Sequence, residues 1–368
     1  MHDGILTIDL DAIVANWRQL AARVAPSVCA AVVKANAYGL GMVPVSQALW
    51  RAGCANFFVA TTDEGLLLRE ALPQARIVVL GGVRPGREQG FVEAGLWPSL
   101  FSLDAIERWL VATAASGTSA PCVINLNSGM TRLGMSPQEL QRFIESADAE
   151  RLDVKIFMSH LACADEPGHP LNQQQLTQYS QLVPAVKARW PEVVLSFANS
   201  SGIFLGQEFH FDLARPGAAM YGVNPTPALP NPMRPVVSLR LPVIQYRTIT
   251  EPSWVGYSAT VQVQAGQRLA VVLGGYADGL LRRLSNRGEG ELAGHRVPII
   301  GRVSMDATIF DVSAIPEAQL PPIGEAWVDM LSPVLDVNLV AEHMNTIGYE
   351  VLTNLGSRYH RNYVGGAS

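Results

Sequence analysis

The stretch AAVVKANAYGLG, residues 30–41, decides how the rest of the chain is read. From Cys29 to Val33 the residues are apolar, as in a buried strand. Lys34 ends that run, and a turn holding Tyr38, Gly39 and Gly41 follows. A lysine placed where a core strand stops is either a solvated strand end or an amine held against apolar walls. The second reading carries chemistry, because burial disfavours the ammonium and frees the amine as a nucleophile.

Outward from this stretch the same texture repeats. CAAVVK (29–34) is followed by NFFVA (56–60), ARIVVL (75–80), WPSLF (97–101), CVINL (122–126), DVKIFM (153–158), VVLSFA (193–198) and FDLA (211–214). Most of the gaps have helical spacing. TDEGLLLREA, SLDAIERWLVATAA and SPQELQRFIESA each open on a Thr or Ser suited to capping a helix, then repeat apolar residues at three and four. Eight strand–helix alternations predict an α/β fold, a (β/α)8 TIM-type barrel, with a doubly wound open sheet as the alternative.

Beyond about residue 228 the pattern changes. ALPNPMRP is a proline-rich connector, and VVSLRLPVIQYRTI, QRLAVVLGG, VPIIGRVSMDATIFDV and EAWVDML are dense strands with little helical spacing between them. The chain therefore divides into a barrel over 11–228 and a mostly β domain over 229–368. The strand-like GILTIDL within 1–10 is expected to join the second sheet, ahead of the helix-like DAIVANWRQLAARV.

Composition excludes several classes. The chain has 368 residues, nearly half apolar, and a net charge of −5. That charge offers no basic patch for nucleic acid or an anionic membrane surface. No apolar run reaches the ~18 residues of a membrane span. MHDGILTIDL lacks the basic and hydrophobic regions of a secretory signal. Cys29, Cys54, Cys122 and Cys163 are scattered and read as reduced core residues of a cytoplasmic protein. The seven histidines have no metal-ligand spacing, so no metal site is expected.

In a barrel, active-site groups sit in the loops after the strands. That filter gathers Lys34 and Tyr38 after the first strand and Arg132 after the fifth. It adds His160 after the sixth, Asn199 and Ser200 after the seventh, and Arg215 after the eighth. Lys34 is flanked by AAVV and followed by hydroxyl and amide groups rather than a carboxylate, which favours a Schiff-base lysine. Pyridoxal 5′-phosphate is a common aldehyde partner for one. Its phosphate needs a cradle, and Ser200 with Gly217 and Ala218 of RPGAAMYG lies where barrels often build one.

The motifs AAVVKANAYGLG, NSGMTRLG, SHLACADEP, ANSSG, DLARPGAAMYG, VGYSAT, GYADGLLRR, GRVSMD and GYEVLTNLGSR, in this order over nearly the whole chain, resemble those of the alanine racemase family. These are fold-type III pyridoxal-phosphate enzymes with a barrel and a β domain. The resemblance implies that Lys34 holds the cofactor and that Tyr257 is the second acid/base, lent by the partner subunit of a homodimer. L-alanine and D-alanine would interconvert by two-base proton transfer at Cα, supplying D-alanine for peptidoglycan. A phenol is a weak base near neutrality, so positive charge must stand close to it. By analogy with the family, His160 and Arg215 form a hydrogen-bonded chain behind Tyr257. Arg215 also faces the pyridine nitrogen, and as a pure donor it keeps that nitrogen unprotonated. Tyr38, Ser200, Gly217, Ala218 and Tyr349 match phosphate-binding positions, and Arg132 matches the arginine beside the phenolic oxygen. Met305 and Asp306 match residues near the substrate carboxylate, with the Met305 N–H as donor. Asp165, Tyr276, Arg282, Arg302 and Tyr349 match an entrance corridor for small substrates.

Three positions depart from the family pattern. Asn125 stands where many members carry a carbamylated lysine, so the anion that would orient Arg132 is missing, and a chloride ion is expected beside Asn125 and Arg132. Asn127 replaces an aspartate. Ser196 replaces a histidine over the pyridine-facing arginine, which leaves Arg215 expected to be less firmly held. Leu40, where histidine is common, is peripheral. VGYSAT and the arginine in RPG speak against a decarboxylase, and the second domain with Tyr257 speaks against a non-catalytic cofactor carrier. A racemase preferring serine or another amino acid stays open.

Overall fold

The computed structural model describes residues 4–117 and 120–366. One compact unit gathers the chain up to Ala12, Tyr221–Val223 and Arg234–Gly366; the other gathers Ile13–Met220 and Asn224–Met233. The ends of the expected domain bounds, 1–3 and 367–368, lie outside the described residues.

The second of these units is a parallel barrel. Its sheet begins and ends on two pieces of one stretch, Val28–Cys29 and Ala31–Val32, on either side of Ala30. Val28–Cys29 pairs with Leu213–Ala214, and Ala31–Val32 pairs with Asn56–Val59, so the sheet closes. Ala30 N and Val32 N continue the seam to Ala214 O and Pro216 O, both at 2.9 Å. The other strands are Arg76–Val79, Trp97–Leu100, Pro121–Asn125, Asp153–Met158 and Val194–Ser196. All eight apolar runs are strands of this barrel, which excludes the open-sheet alternative. The runs are nearly continuous because barrel strands are covered on both faces; every residue of Asn56–Val59 is buried.

Side-chain caps fix the helix starts. Ser102 and Ser136 accept from Ala105 N and Glu139 N, both at 3.2 Å, at the heads of Leu103–Ser116 and Pro137–Ile144. The helix Thr62–Ala71 is capped by Thr61, one residue before the expected Thr62, because Thr61 and Glu64 close a reciprocal capping box.

The other unit is built on an eight-stranded sheet. Ile5–Asp9 lies antiparallel to Val237–Thr248 and parallel to His360–Val364. VPIIGRVSMDATIFDV is not one strand. His295–Pro298 pairs with Glu289–Leu292, and Ala307–Asp311 pairs with Arg268–Leu273. Between them the chain turns through Gly301, whose φ of +76° favours glycine and whose added Cβ would lie 2.8 Å from Val255. Among the described residues no helix is long and apolar enough to cross a membrane, and no cluster of His, Cys, Asp or Glu could hold a metal ion. All four cysteines are free.

Candidate active site

The turn that carries Lys34 is left-handed. Ala35, Asn36, Ala37 and Tyr38 have φ of 52°, 54°, 52° and 56°, a conformation that costs L-residues about 1–2 kcal/mol each. Backbone bonds hold it, from Ala37 N to Val33 O and from Gly39 N to Ala35 O, both 2.8 Å. Side chains support it as well. Asn36 Oδ1 accepts from Met42 N at 2.8 Å, and Glu64 Oε1 accepts from Asn36 N at 3.2 Å. Lys34 therefore projects from a tensioned loop rather than a frayed strand end. Burial lowers its amine below the usual lysine range, the Arg132 guanidinium adds to that, and Glu64 opposes it.

Arg215 is buried in the barrel. Its Nη1 donates to Ser196 Oγ, which in turn donates to Leu213 O at 2.6 Å, and its Nη2 donates to Ser159 O at 2.6 Å. This corrects the expectation drawn from Ser196: a serine hydroxyl at the end of the seventh strand reaches the guanidinium and anchors it. Strand Val194–Ser196 is itself fixed by Tyr179, whose hydroxyl donates to Phe157 O at 2.7 Å and accepts from Ser196 N at 3.0 Å. Burial pushes Arg215 down to about 10, still protonated at neutrality.

His160 follows the sixth strand and stands near three cations. Burial first, then Arg215, Arg132 and Lys34, push it down to about 3. Between that value and the ordinary ~6.5 the unfolded chain binds a proton that the folded chain refuses, so stability falls as pH drops through this window. At pH 4.5 the loss from this one group is ~2–3 kcal/mol relative to neutrality. Urea unfolding of the wild type and of His160→Gln at pH 4.5 and 7 checks it, and an equal pH dependence in both would contradict the burial of a neutral ring.

Ser200, Gly217 and Tyr38 make a compact polar corner. Ser200 Oγ accepts from Gly217 N at 3.0 Å and from Ala219 N at 3.2 Å. A Cβ on Gly217 would stand 2.4 Å from Tyr38 Oη, so only glycine admits the phenol here. Ala218 opens the short helical turn Ala218–Tyr221. The Asn199 amide holds the loop, accepting from Gly202 N at 2.8 Å and donating to Leu161 O at 3.4 Å.

Asn125 closes the fifth strand and is buried, while Arg132 is exposed. Asn127 Oδ1 accepts from Gly129 N at 3.1 Å and Thr131 N at 3.0 Å, shaping the loop that ends on Arg132. Asp165 is exposed in the loop after His160.

The remaining residues belong to the β unit. Tyr257 is 67% exposed at the tip of the hairpin Ser253–Val255/Val261–Val263, where Gly256, Ser258 and Ala259 all have positive φ. Met305, Tyr276 and Tyr349 are also exposed, at 53%, 42% and 38%. Arg282 is exposed and Arg302 half-buried. Asp306 lies beside Met305 in the turn before strand Ala307–Asp311.

Two supporting residues were missed in the sequence. Glu64 looked like a helix-start residue only, yet its carboxylate ties the Lys34 turn to the capping box, also accepting from Ala60 N at 2.8 Å. Gln175 is buried on the helix Pro170–Arg189, where it donates to His160 O at 2.8 Å and Ser128 Oγ at 3.1 Å and accepts from Ala162 N at 2.9 Å. No local sequence pattern signals it, since its partners lie 13 to 47 residues away.

A closed parallel barrel with a half-buried lysine after its first strand, on a chain that also carries a β unit, defines a class of lysine-bearing barrel enzymes. Residues 8–225 match the family described as alanine racemase, N-terminal domain, and residues 236–363 match alanine racemase, C-terminal domain. The chain is 48% identical over 367 residues to an alanine racemase of Rhodospirillum rubrum, covering 98% of this chain and 96% of that one. It is 47% identical over 365 residues to a catabolic alanine racemase of Mesorhizobium japonicum, covering 99% and 94%. The solved alanine racemase of Bartonella henselae, with covalently bound pyridoxal phosphate, superposes with a TM-score of 0.93 at 40% identity over 99% of this chain and 100% of that one. The chain belongs to the alanine racemase family.

Proposed function

We propose that the chain interconverts L-alanine and D-alanine with pyridoxal 5′-phosphate, using Lys34 and Tyr257 as the two bases. The observation that carries this reading is the lysine itself, an amine of lowered proton affinity at the mouth of a barrel whose other rim groups are Arg132, His160 and Arg215. These residues suit the cofactor. Tyr38, Ser200, Gly217 and Ala218 would hold its phosphate together with Tyr349, in a corner that a side chain at 217 would fill. Arg215 would meet its ring nitrogen as a donor only and keep it unprotonated. Arg132 would lie beside its phenolic oxygen. When bound, the cofactor supplies an electron-withdrawing ring that acidifies the substrate Cα–H.

The chain's own groups then move the proton. Lys34 Nζ takes or returns it on one face of Cα, and Tyr257 Oη, from a second copy, does so on the other. Arg215, which stays protonated, brings the positive charge that a phenol needs to act as a base, and the neutral His160 would carry the hydrogen-bonded chain from it toward the phenol. Tyr257 and Met305 stand out from the β unit, as suits groups that complete a neighbour's site in a homodimer. The Met305 N–H receives the substrate carboxylate there, with Asp306 beside it, and Asp165, Tyr276, Arg282, Arg302 and Tyr349 line the approach. The enzyme works in the cytoplasm, and its D-alanine serves peptidoglycan.

Incubation with L-alanine, L-serine and L-lysine in deuterium oxide tests the reading. Inverted alanine carrying deuterium at Cα is expected. Inversion of serine or lysine in preference would reassign the substrate, and no inversion of any of them would end the proposal.

Asn125 cannot carry a carbamate, and among the described residues no group hydrogen-bonds the Arg132 side chain. A halide ion is expected beside both, as a strong peak in a high-resolution map of crystals grown with bromide. Ordinary water at that position would contradict this.

A further inference from the structure

The turn that presents Met305 is held by all three of its carbonyls. Ser304 O, Met305 O and Asp306 O accept from Tyr276 N (3.0 Å), Ala277 N (3.0 Å) and Gly274 N (2.9 Å). In a trans peptide each N–H points opposite to the carbonyl that precedes it. The Met305 and Asp306 N–H groups therefore face away from Tyr276 and Ala277, and among the described residues neither meets an acceptor. Successive free amide donors on one side of a turn form an anion-binding concavity. The two segments approach this closely because residue 275 is glycine: a Cβ there would lie 2.2 Å from Ser304 O and 2.4 Å from Met305 O.

The exposed carboxylate of Asp306 stands next to these donors and, left alone, would repel an incoming anion. Arg358 answers it. Its Nη1 donates to Asp306 Oδ1 at 2.8 Å, while Nε and Nη2 grip Asp278 Oδ1 and Oδ2 at 2.6 and 2.8 Å. Asp278 is only 5% exposed and also accepts from Gly275 N at 2.9 Å. The guanidinium fork is thus anchored on a buried carboxylate of the segment that holds the turn, and its third nitrogen is turned to the exposed one. An exposed ion pair adds little to stability, so the contact with Asp306 reads as control of local charge rather than as a staple.

We propose that Arg358 is a positioning residue for substrate binding: it cancels the Asp306 charge and steadies the Ser304–Asp306 turn, so that the two free amide donors receive the carboxylate of the amino-acid substrate. This rests on the racemase reading above. In Arg358→Gln, KM for L-alanine should rise about tenfold or more while kcat stays within about threefold, the mark of lost ground-state binding. Adding Asp306→Asn to that variant should return most of the lost affinity, because the uncancelled charge is gone. Arg358→Lys, which keeps the charge without the fork, should fall between, and it replaces the glutamine variant if that one fails to fold. Hydrogen exchange of the Gly274–Ala277 amides reports the turn independently of turnover, and it should quicken in Arg358→Gln. An unchanged KM in Arg358→Gln would overturn the proposal. A raised KM that Asp306→Asn does not relieve would overturn it too, leaving Arg358 a folding role. A wild-type chain that racemises no amino acid, with these amides still protected, would instead defeat the underlying reading of the site.

Discussion

Lys34→Ala is expected to lower racemisation by about 10³-fold or more, because on the proposed reading it removes both the covalent anchor and one of the two bases. The same variant should lose the visible absorption of protein-linked cofactor and should not be labelled by borohydride reduction. The physical ground is the state of the amine. Burial and Arg132 both weaken its hold on a proton, and Glu64 alone opposes them. A neutral amine attacks an aldehyde; an ammonium does not. Should Lys34→Ala keep most of its activity, or still trap the cofactor covalently, another amine is the anchor and the whole assignment of the barrel rim is wrong.

Tyr257→Phe is expected to be nearly as damaging, yet in a different way. Loss of the hydroxyl removes one proton donor and acceptor and leaves the barrel groups intact, so cofactor binding and its spectrum should survive while turnover falls about 10²–10⁴-fold. The loss should be lopsided, heavier for abstraction from one alanine enantiomer. Deuterium exchange at Cα without inversion, followed separately from each enantiomer, reads this directly. Tyr257 is exposed at a hairpin tip, and because the proposal places it in the site of a second copy, the outcome should depend on the dimer. Full activity of the wild type at dilutions where only monomer exists would remove the tyrosine from the reaction.

The barrel was legible because its strands are largely covered on both faces, so most read as nearly continuous apolar runs such as CAAVV or NFFVA. Helix starts were legible where a hydroxyl cap precedes them, as at Ser102 and Ser136. What escaped depends on distant or conformational partners. Nothing in Ala-Asn-Ala-Tyr announces four left-handed residues, since each is compatible with an ordinary right-handed turn. Ser196 looked like a loss because its Oγ meets Arg215 only once the barrel has closed. Gly301 was lost in a run of β-branched residues that promised a single strand. Arg358 lies 80 residues from Asp278 and 52 from Asp306, beyond the reach of any local pattern.

The left-handed turn after Val33 has a further consequence. Four L-residues do not coil that way of their own accord, so the conformation is imposed by its surroundings: the seam where the first strand meets the second and last, the Asn36 clasp on Met42, and the Glu64 tether. Loosening any of these is expected to let the loop relax and to shift the amine. On the proposed role of Lys34, the reactivity of this single nitrogen should therefore report whether the whole cylinder is intact.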